Sequence, residues 1–263
     1  MSTADVDAIA QWIAAARQLV VLTGAGVSTE SGIPDFRGPQ GVWTKNPEAE
    51  KTATLSYYVG DPEIRRRAWE HRVNSEMWQA EPNAGHRALA ELERVAALHT
   101  LVTQNVDGLH QAAGSSPGRI IEIHGTVHDA KCLSCGWRGP MGAVLERVRA
   151  GEDDPACREC GGILKSATIS FGESLVPEDL QRAQLAAQGA DLFLAVGTSL
   201  GVYPAAALPE IALTRGARLV VLNAQPTPFD DAASAVRRDQ VGDLLPALVA
   251  EVQRQVGNFR PPG

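Results

Sequence analysis

Short apolar runs punctuate this chain, and each one ends in a cluster of polar residues or glycines. Residues 19–22, Leu-Val-Val-Leu, run into Gly24-Ala25-Gly26. Residues 99–103 end in Gln104-Asn105-Val106-Asp107-Gly108-Leu109-His110, and residues 120–123 end in His124-Gly125. Residues 167–170 lead to Phe171-Gly172-Glu173, residues 192–196 to Gly197-Thr198-Ser199, and residues 218–222 to Asn223. Runs this short and this apolar suit strands buried on both faces of a parallel sheet. Three other stretches carry apolar residues at helical spacing. Residues 4–17 place Ile9, Trp12, Ile13 and Ala16 on one face, a segment opened by Pro82 and Asn83 and reaching about Leu98 carries Leu89, Leu92 and Ala96, and residues 243–256 close the chain.

Strand, polar cluster and helix in repetition predict an α/β, doubly wound parallel sheet. In such sheets ligands bind beyond the carboxyl ends of the strands, so the polar clusters are expected to converge on one crevice. Two stretches break the rhythm. Residues 46–80 are polar and aromatic, with Tyr57, Tyr58, Trp69 and Trp78, and read as a helical insertion. Residues 127–166 hold the cysteines and read as a small inserted module. The expected division is therefore a body made of 1–45, 81–126 and 167–263, with the two insertions set into it.

Charge and composition narrow the partners. The 263 residues are 44% hydrophobic and 21% charged, with a net charge of -7. That balance fits a globular protein and disfavours bulk binding to nucleic acid or anionic membrane. No apolar run approaches the ~20 residues of a membrane helix. The N-terminal stretch carries Asp5 and Asp7 and has no basic start before an apolar core, so a cytoplasmic location is expected.

The first polar cluster has its own chemistry. Gly24 and Gly26 let the backbone turn and approach a ligand, and Ser28, Thr29 and Ser31 offer hydroxyls where a short helix could begin. Strand, Gly-Ala-Gly and helix make half of a dinucleotide-binding fingerprint. The third glycine is missing, because Thr29 stands there, and no Gly-Lys-Ser/Thr of a triphosphate loop follows. A tight structural turn would explain such a pair of glycines equally well. Pro34-Asp35-Phe36-Arg37 adds a carboxylate, an aromatic ring and a guanidinium, which a plain turn does not need.

All four cysteines form two Cys-x-x-Cys pairs, Cys132 with Cys135 and Cys157 with Cys160, separated by 21 residues. Four thiolates fill a tetrahedral Zn²⁺ and leave no open position, so the metal is expected to be structural. Among the six histidines, His124 stands out because it ends a strand in the row facing the crevice. An imidazole there could take a proton from a hydroxyl, or serve structure alone.

Taken in order, Gly-Ala-Gly-Val-Ser-Thr-Glu-Ser-Gly-Ile-Pro-Asp-Phe-Arg, Thr-Gln-Asn-Val-Asp-Gly-Leu-His, Glu-Ile-His-Gly, the paired cysteine knuckles, Ser-Phe-Gly-Glu, Gly-Thr-Ser and Leu-Asn-Ala-Gln-Pro-Thr resemble the sirtuins, NAD-dependent protein lysine deacylases. The resemblance spans residues 19–246 and looks closer to the class II branch. It implies a Rossmann-like body with an inserted zinc ribbon. It implies that Gly24, Ala25, Gly26, Thr29, Asp35, Phe36 and Arg37 hold NAD, that Gln104, Asn105 and Asp107 line the ribose and nicotinamide pocket, and that Gly197, Thr198, Ser199, Asn223 and Val241 hold the adenosine half. Phe171, Gly172, Glu173 and Val176 would clamp the acyl-lysine segment of a protein substrate, and His124 would be the base. The implied reaction consumes NAD as co-substrate and releases nicotinamide, free lysine and 2′-O-acyl-ADP-ribose.

Sirtuins that remove succinyl or malonyl groups carry Tyr-x-x-Arg in the acyl pocket. The counterpart here is Trp69-Glu70-His71-Arg72, which lacks the phenol, so acetyl or a longer apolar acyl group is expected. Three rivals remain. Mono-ADP-ribosyl transfer would leave ADP-ribose on protein, a dehydrogenase would yield reduced dinucleotide, and a bare zinc-ribbon interaction module would do neither.

Overall fold

Strand β1 (Leu19–Thr23) is buried at every position in the computed structural model, which describes residues 5–36, 38 and 41–258. Its side chains alternate between two apolar layers, as a strand's period of two requires. Leu19 and Val21 face a core built from α1 (Val6–Ala15), α5 (Ala84–Val95) and α10 (Val241–Asn258). Val20 and Leu22 face a second core that includes Ala183, Ala186 and Ala187 of α8 (Pro177–Gly189) and Leu208 and Ala212 of α9 (Leu208–Thr214). Small residues on α8 and α9 let those helices lie close to the sheet.

The remaining strands are β2 (Leu98–Thr103), β3 (Ile120–Glu122), β4 (Gly125–Cys132), β5 (Arg138–Pro140), β6 (Leu164–Thr168), β7 (Leu192–Val196), β8 (Arg218–Leu222) and β9 (Ala235–Arg237). Five of them join β1 in the six-stranded parallel sheet, in the order β3-β2-β1-β7-β8-β9. The chain starts in the middle, moves outward to β3, and returns to the other side of β1. A switch point therefore lies between β1 and β7, where doubly wound sheets open a crevice.

Helix boundaries follow local chemistry. Asp5 accepts from the Ala8 N–H at the start of α1. Asn83 and His86 form a capping box at the start of α5. Helix α5 ends at Val95, and Leu98 already belongs to β2, so the expected helix to Leu98 ran past its end. Other helices are α2 (Val42–Lys45), α3 (Leu55–Gly60), α4 (Pro62–Val73), α6 (Leu109–Ala112) and α7 (Met141–Arg149).

Residues 167–170 do not form a strand of the main sheet as expected. Ala167 and Thr168 end β6, which pairs antiparallel with β4 in a separate three-stranded sheet of order β5-β4-β6. An apolar run marks a strand but does not say which partner it joins. The short edge strand β9 was not anticipated, because Ala-Val-Arg is too short to stand out as a run.

The small sheet spans Gly125 to Thr168, and it does not stand apart from the other insertion. Trp69 of α4 is fully buried against Ala130, Cys132, Met141, Val144, Leu145 and Leu164. The Tyr58 hydroxyl donates to the Leu164 carbonyl at 2.8 Å, and Arg65 pairs with Asp154 at 2.9 Å. Residues 46–80 and the cysteine module thus share one apolar cluster. The Trp69 ring is fully buried in this cluster, and the Arg72 guanidinium lies 4.8 Å over it. Trp69→Ala is expected to destabilise the protein by roughly 3–5 kcal/mol, read as a lowered denaturant midpoint.

Candidate functional site

Parallel register lines up the strand ends. Thr23 pairs with Thr103 and Val196, Thr103 with Glu122, and Val196 with Leu222. The residues just beyond, including Gly24, Gln104, Gly197 and Asn223, therefore stand along one edge of the sheet.

At the switch point two backbones touch. The Gly26 N–H donates to the Gly197 carbonyl at 2.8 Å. A Cβ on Gly24 would lie 2.8 Å from that same oxygen, and one on Gly26 would lie 2.8 Å from it as well. Gly197 adopts φ +59°, and a Cβ there would sit 2.5 Å from the Val27 nitrogen. The glycines thus let the ends of β1 and β7 meet, which their sequence context did not reveal. Gln104 donates across the junction to Thr198 Oγ1 at 2.8 Å.

Below this contact lies a buried polar network. Asn105 Nδ2 donates to the Gly24 carbonyl at 3.1 Å and to Ser28 Oγ at 3.0 Å. Ser28 Oγ donates to Asp107 Oδ2 at 2.7 Å, and Asp107 Oδ1 accepts from the Leu109 N–H that begins α6. His86 Nδ1 accepts from the Asn83 N–H, so its Nε2 carries the proton and faces Ser28 Oγ at 3.4 Å. Ser28 is then fully used: one hydrogen given, two lone pairs occupied. A second chain runs beside it. Thr23 Oγ1 donates to Thr103 Oγ1 at 2.8 Å and so accepts from His110 Nε2 at 2.9 Å. Thr103 Oγ1 in turn accepts from the Asn105 N–H. The rings of His86 and His110 lie 4.9 Å apart.

Sequence reasoning missed His86, His110 and Thr23, and gave Ser28 no role beyond its hydroxyl. One signal was available for His86. It shares a face with Leu89 and Leu92, and a polar residue on an apolar stripe needs a partner.

His124 sits between β3 and β4. Its Nδ1 lies 3.1 Å from the Gln104 carbonyl, which can only accept, so Nδ1 holds the proton and Nε2 keeps a lone pair. Burial lowers its pKa from 6.5, only partly opposed by that hydrogen bond, and the ring is neutral at pH 7. The Ile169 N–H donates to the His124 carbonyl at 2.8 Å. A cleft of about 480 Å³ runs between the main and small sheets, lined by Ile121 and Glu122 of β3 and by Gly125, Ile169 and Val176.

The other expected residues divide. Asp35 accepts from the Gly38 N–H, and half-exposed Phe36 stacks on Trp43 at 4.7 Å. Arg37 lies outside the described residues. Thr29 turns its hydroxyl back onto the Gly26 carbonyl. Ala25 opens a short 3-10 turn, and exposed Ser199 follows buried Thr198. Asn223 donates to the Gln225 carbonyl at 2.8 Å, and buried Val241 begins α10. Phe171 packs edge-on to Trp43 at 5.3 Å, Gly172 takes φ +85°, and exposed Val176 precedes α8. Glu173 forms ion pairs with Lys131 and Lys165.

The four sulfurs lie within 4.8 Å of one another, with Cys132–Cys160 at 3.6 Å and Cys135–Cys157 at 3.8 Å. Tetrahedral Zn–S bonds of about 2.3 Å demand sulfurs about 3.8 Å apart, so the set fits one zinc ion. The two knuckles match: Gly136 and Gly161 each follow the second cysteine, at φ +74° and +72°.

Acid stability follows from the buried histidines. Burial drives His110 down to about 3, so the folded protein refuses a proton that the unfolded chain accepts below about 6.5. Its contribution is intact above that pH and is lost as the pH falls toward about 3. At pH 5 the cost is roughly 2 kcal/mol, and His110→Gln is expected to flatten the slope of denaturant stability between pH 7 and 5.

Comparisons with known proteins agree with this geometry. The model of the Sir2 family matches residues 24–204. A relative from Streptomyces coelicolor, NAD-dependent protein deacetylase 2, is 56% identical over 231 residues, covering 88% of this chain and 96% of its own. NAD-dependent protein deacetylase 1 of Pyrobaculum aerophilum is 43% identical over 251 residues, covering 94% and 95%. A solved Sir2 structure with a p53 peptide and NAD+ superposes with a TM-score of 0.84 at 34% identity, covering 94% of this chain and 98% of that one. Another, with a deacetylated p53 peptide and 3′-O-acetyl ADP ribose, reaches 0.87 at 34% identity with the same coverage.

Proposed function

This chain belongs to the Sir2 family and is an NAD-dependent protein deacetylase, and we propose that the crevice between β1 and β7 carries the reaction with His124 as its base. The observation that carries the proposal is the 3.1 Å contact between His124 Nδ1 and the Gln104 carbonyl, an acceptor only, which assigns the proton to Nδ1 and the lone pair to Nε2. NAD is a co-substrate, and one zinc ion is structural.

The dinucleotide supplies a ribose carbon that loses nicotinamide and is captured by the acyl oxygen of the substrate lysine. The protein's part is to position and to move one proton. His124 Nε2 takes the proton of a ribose hydroxyl, and the imidazolium formed keeps its Nδ1–H on Gln104. Asn105 and Asp107 line the nicotinamide side, held in place by Ser28. Gly24, Ala25, Gly26 and Thr29 form the diphosphate turn, with Asp35 and Phe36 following it, and the family resemblance assigns Arg37 to NAD as well. Gly197, Thr198, Ser199, Asn223 and Val241 receive the adenosine half. Phe171, Gly172, Glu173 and Val176 grip an acyl-lysine segment of a protein. With Trp69 inside the small-domain core, an acetyl or longer apolar acyl group suits the site better than an acidic one. Residues 125–168, joined by 46–80, form the second domain against which the substrate lies. No described helix is long and apolar enough to cross a membrane.

His124→Ala is expected to keep zinc and ADP-ribose binding while losing deacetylation of an acetyl-lysine peptide by about a hundredfold or more. Near wild-type turnover would overturn the assignment. In the wild type the base works unprotonated, so the acid limb of peptide turnover, read as nicotinamide release, should fall below pH 6.5. ADP-ribose left on protein, in place of soluble acyl-ADP-ribose, would favour the transferase alternative.

A further inference from the structure

Lysine is almost never fully buried, yet the Lys165 side chain is 1% exposed. Burying an ammonium costs several kcal/mol, which its partners must offset. Lys165 Nζ donates to the Thr168 carbonyl at 2.6 Å and to Glu173 Oε2 at 3.0 Å. Glu173 Oε2 also accepts from the Ser170 N–H at 3.0 Å, and Oε1 accepts from Lys131 Nζ. The chain leaving β6 is thus bent back and closed between residues 168 and 173.

That closed loop touches three parts of the site. The Ile169 N–H bonds the carbonyl of His124 at 2.8 Å. The Phe171 N–H donates to Ala53 at 2.8 Å, and its carbonyl accepts from Leu55 at 2.9 Å, which ties the loop to the helical insertion. The Phe171 ring meets Trp43.

We infer that Lys165 is a positioning residue for the acyl-lysine substrate: its clasp on Glu173 holds residues 169–173 in the shape that grips substrate beside His124. The inference rests on the deacetylase reading above. The charged groups around Lys165 are Glu173 on its loop, Lys131 from β4 and Arg72 from α4. Burial is the chief force lowering the Lys165 pKa, to about 8, with Lys131 and Arg72 adding to it, and Glu173 is the group that keeps the amine charged. Neither other cation replaces Lys165. Lys131 already occupies the other oxygen of Glu173, and Arg72 is stacked over Trp69. Removing the ammonium leaves the Thr168 carbonyl without this donor and Glu173 Oε2 with the Ser170 N–H alone, a neutral donor in place of a charged one.

The test uses the full zinc-loaded chain. Lys165→Met is expected to raise KM for an acetyl-lysine peptide by about tenfold or more, equal to about 1.4 kcal/mol. KM for NAD, ADP-ribose affinity by calorimetry and zinc content should stay within about twofold. Lys165→Arg, which keeps the charge, should restore peptide KM to within about threefold. An unchanged peptide KM, or peptide and NAD constants that worsen together, would overturn the inference. If Lys165→Met does not fold, isosteric Glu173→Gln reads the same clasp from its other end, and the same two outcomes decide. Failure of the parent reading registers separately, as retained activity in His124→Ala.

Discussion

Two backbones in contact at the middle of the sheet set the terms for the rest of the molecule. Where the Gly26 N–H meets the Gly197 carbonyl, no Cβ fits on either side. This contact brings the loop after β1 against the loop after β7. Only with those loops together does Gln104 reach Thr198. The same glycine turn presents the Gly24 carbonyl to Asn105 and places Ser28 under Asp107. The crevice walls are therefore consequences of a steric allowance made by three missing side chains.

The polar groups beneath are buried, and burial makes their pairing rules strict. An unpaired donor or acceptor there costs about 1–3 kcal/mol, so each proton is directed by its neighbours. Ser28 has no hydrogen-bonding capacity left over, and Asn105 gives both amide hydrogens inward. The Asn83 N–H fixes the tautomer of His86, Thr23 fixes that of His110, and the Leu109 N–H holds Asp107 against α6. The network is held in one arrangement because its pairing is nearly complete.

His124 occupies a junction rather than a wall. Strand β3 of the main sheet ends two residues before it, and β4 of the small sheet starts one residue after it. Its ring is tied to the body through Gln104 and its carbonyl to the small sheet through Ile169. His124 is therefore set by the relative placement of the two sheets. That placement depends on the cysteine cluster and on Trp69, which share one apolar core. The cysteine cluster thus bears on the setting of His124 through packing.

Much of this was legible from the residues alone. Apolar runs located β1, β7 and β8, the cysteine spacing gave the zinc set, and the order of motifs gave the family. Those features are local: a strand's burial, a turn's glycine and a knuckle's spacing are written within a few positions. The tertiary structure decided which strand joins which sheet, that Trp69 belongs to the small-domain core, that His86 and His110 meet under Ser28, and that Glu173 pairs with Lys165. Each of those depends on groups brought together from distant parts of the chain, and a buried charge or imidazole takes its role from the partner it finds there.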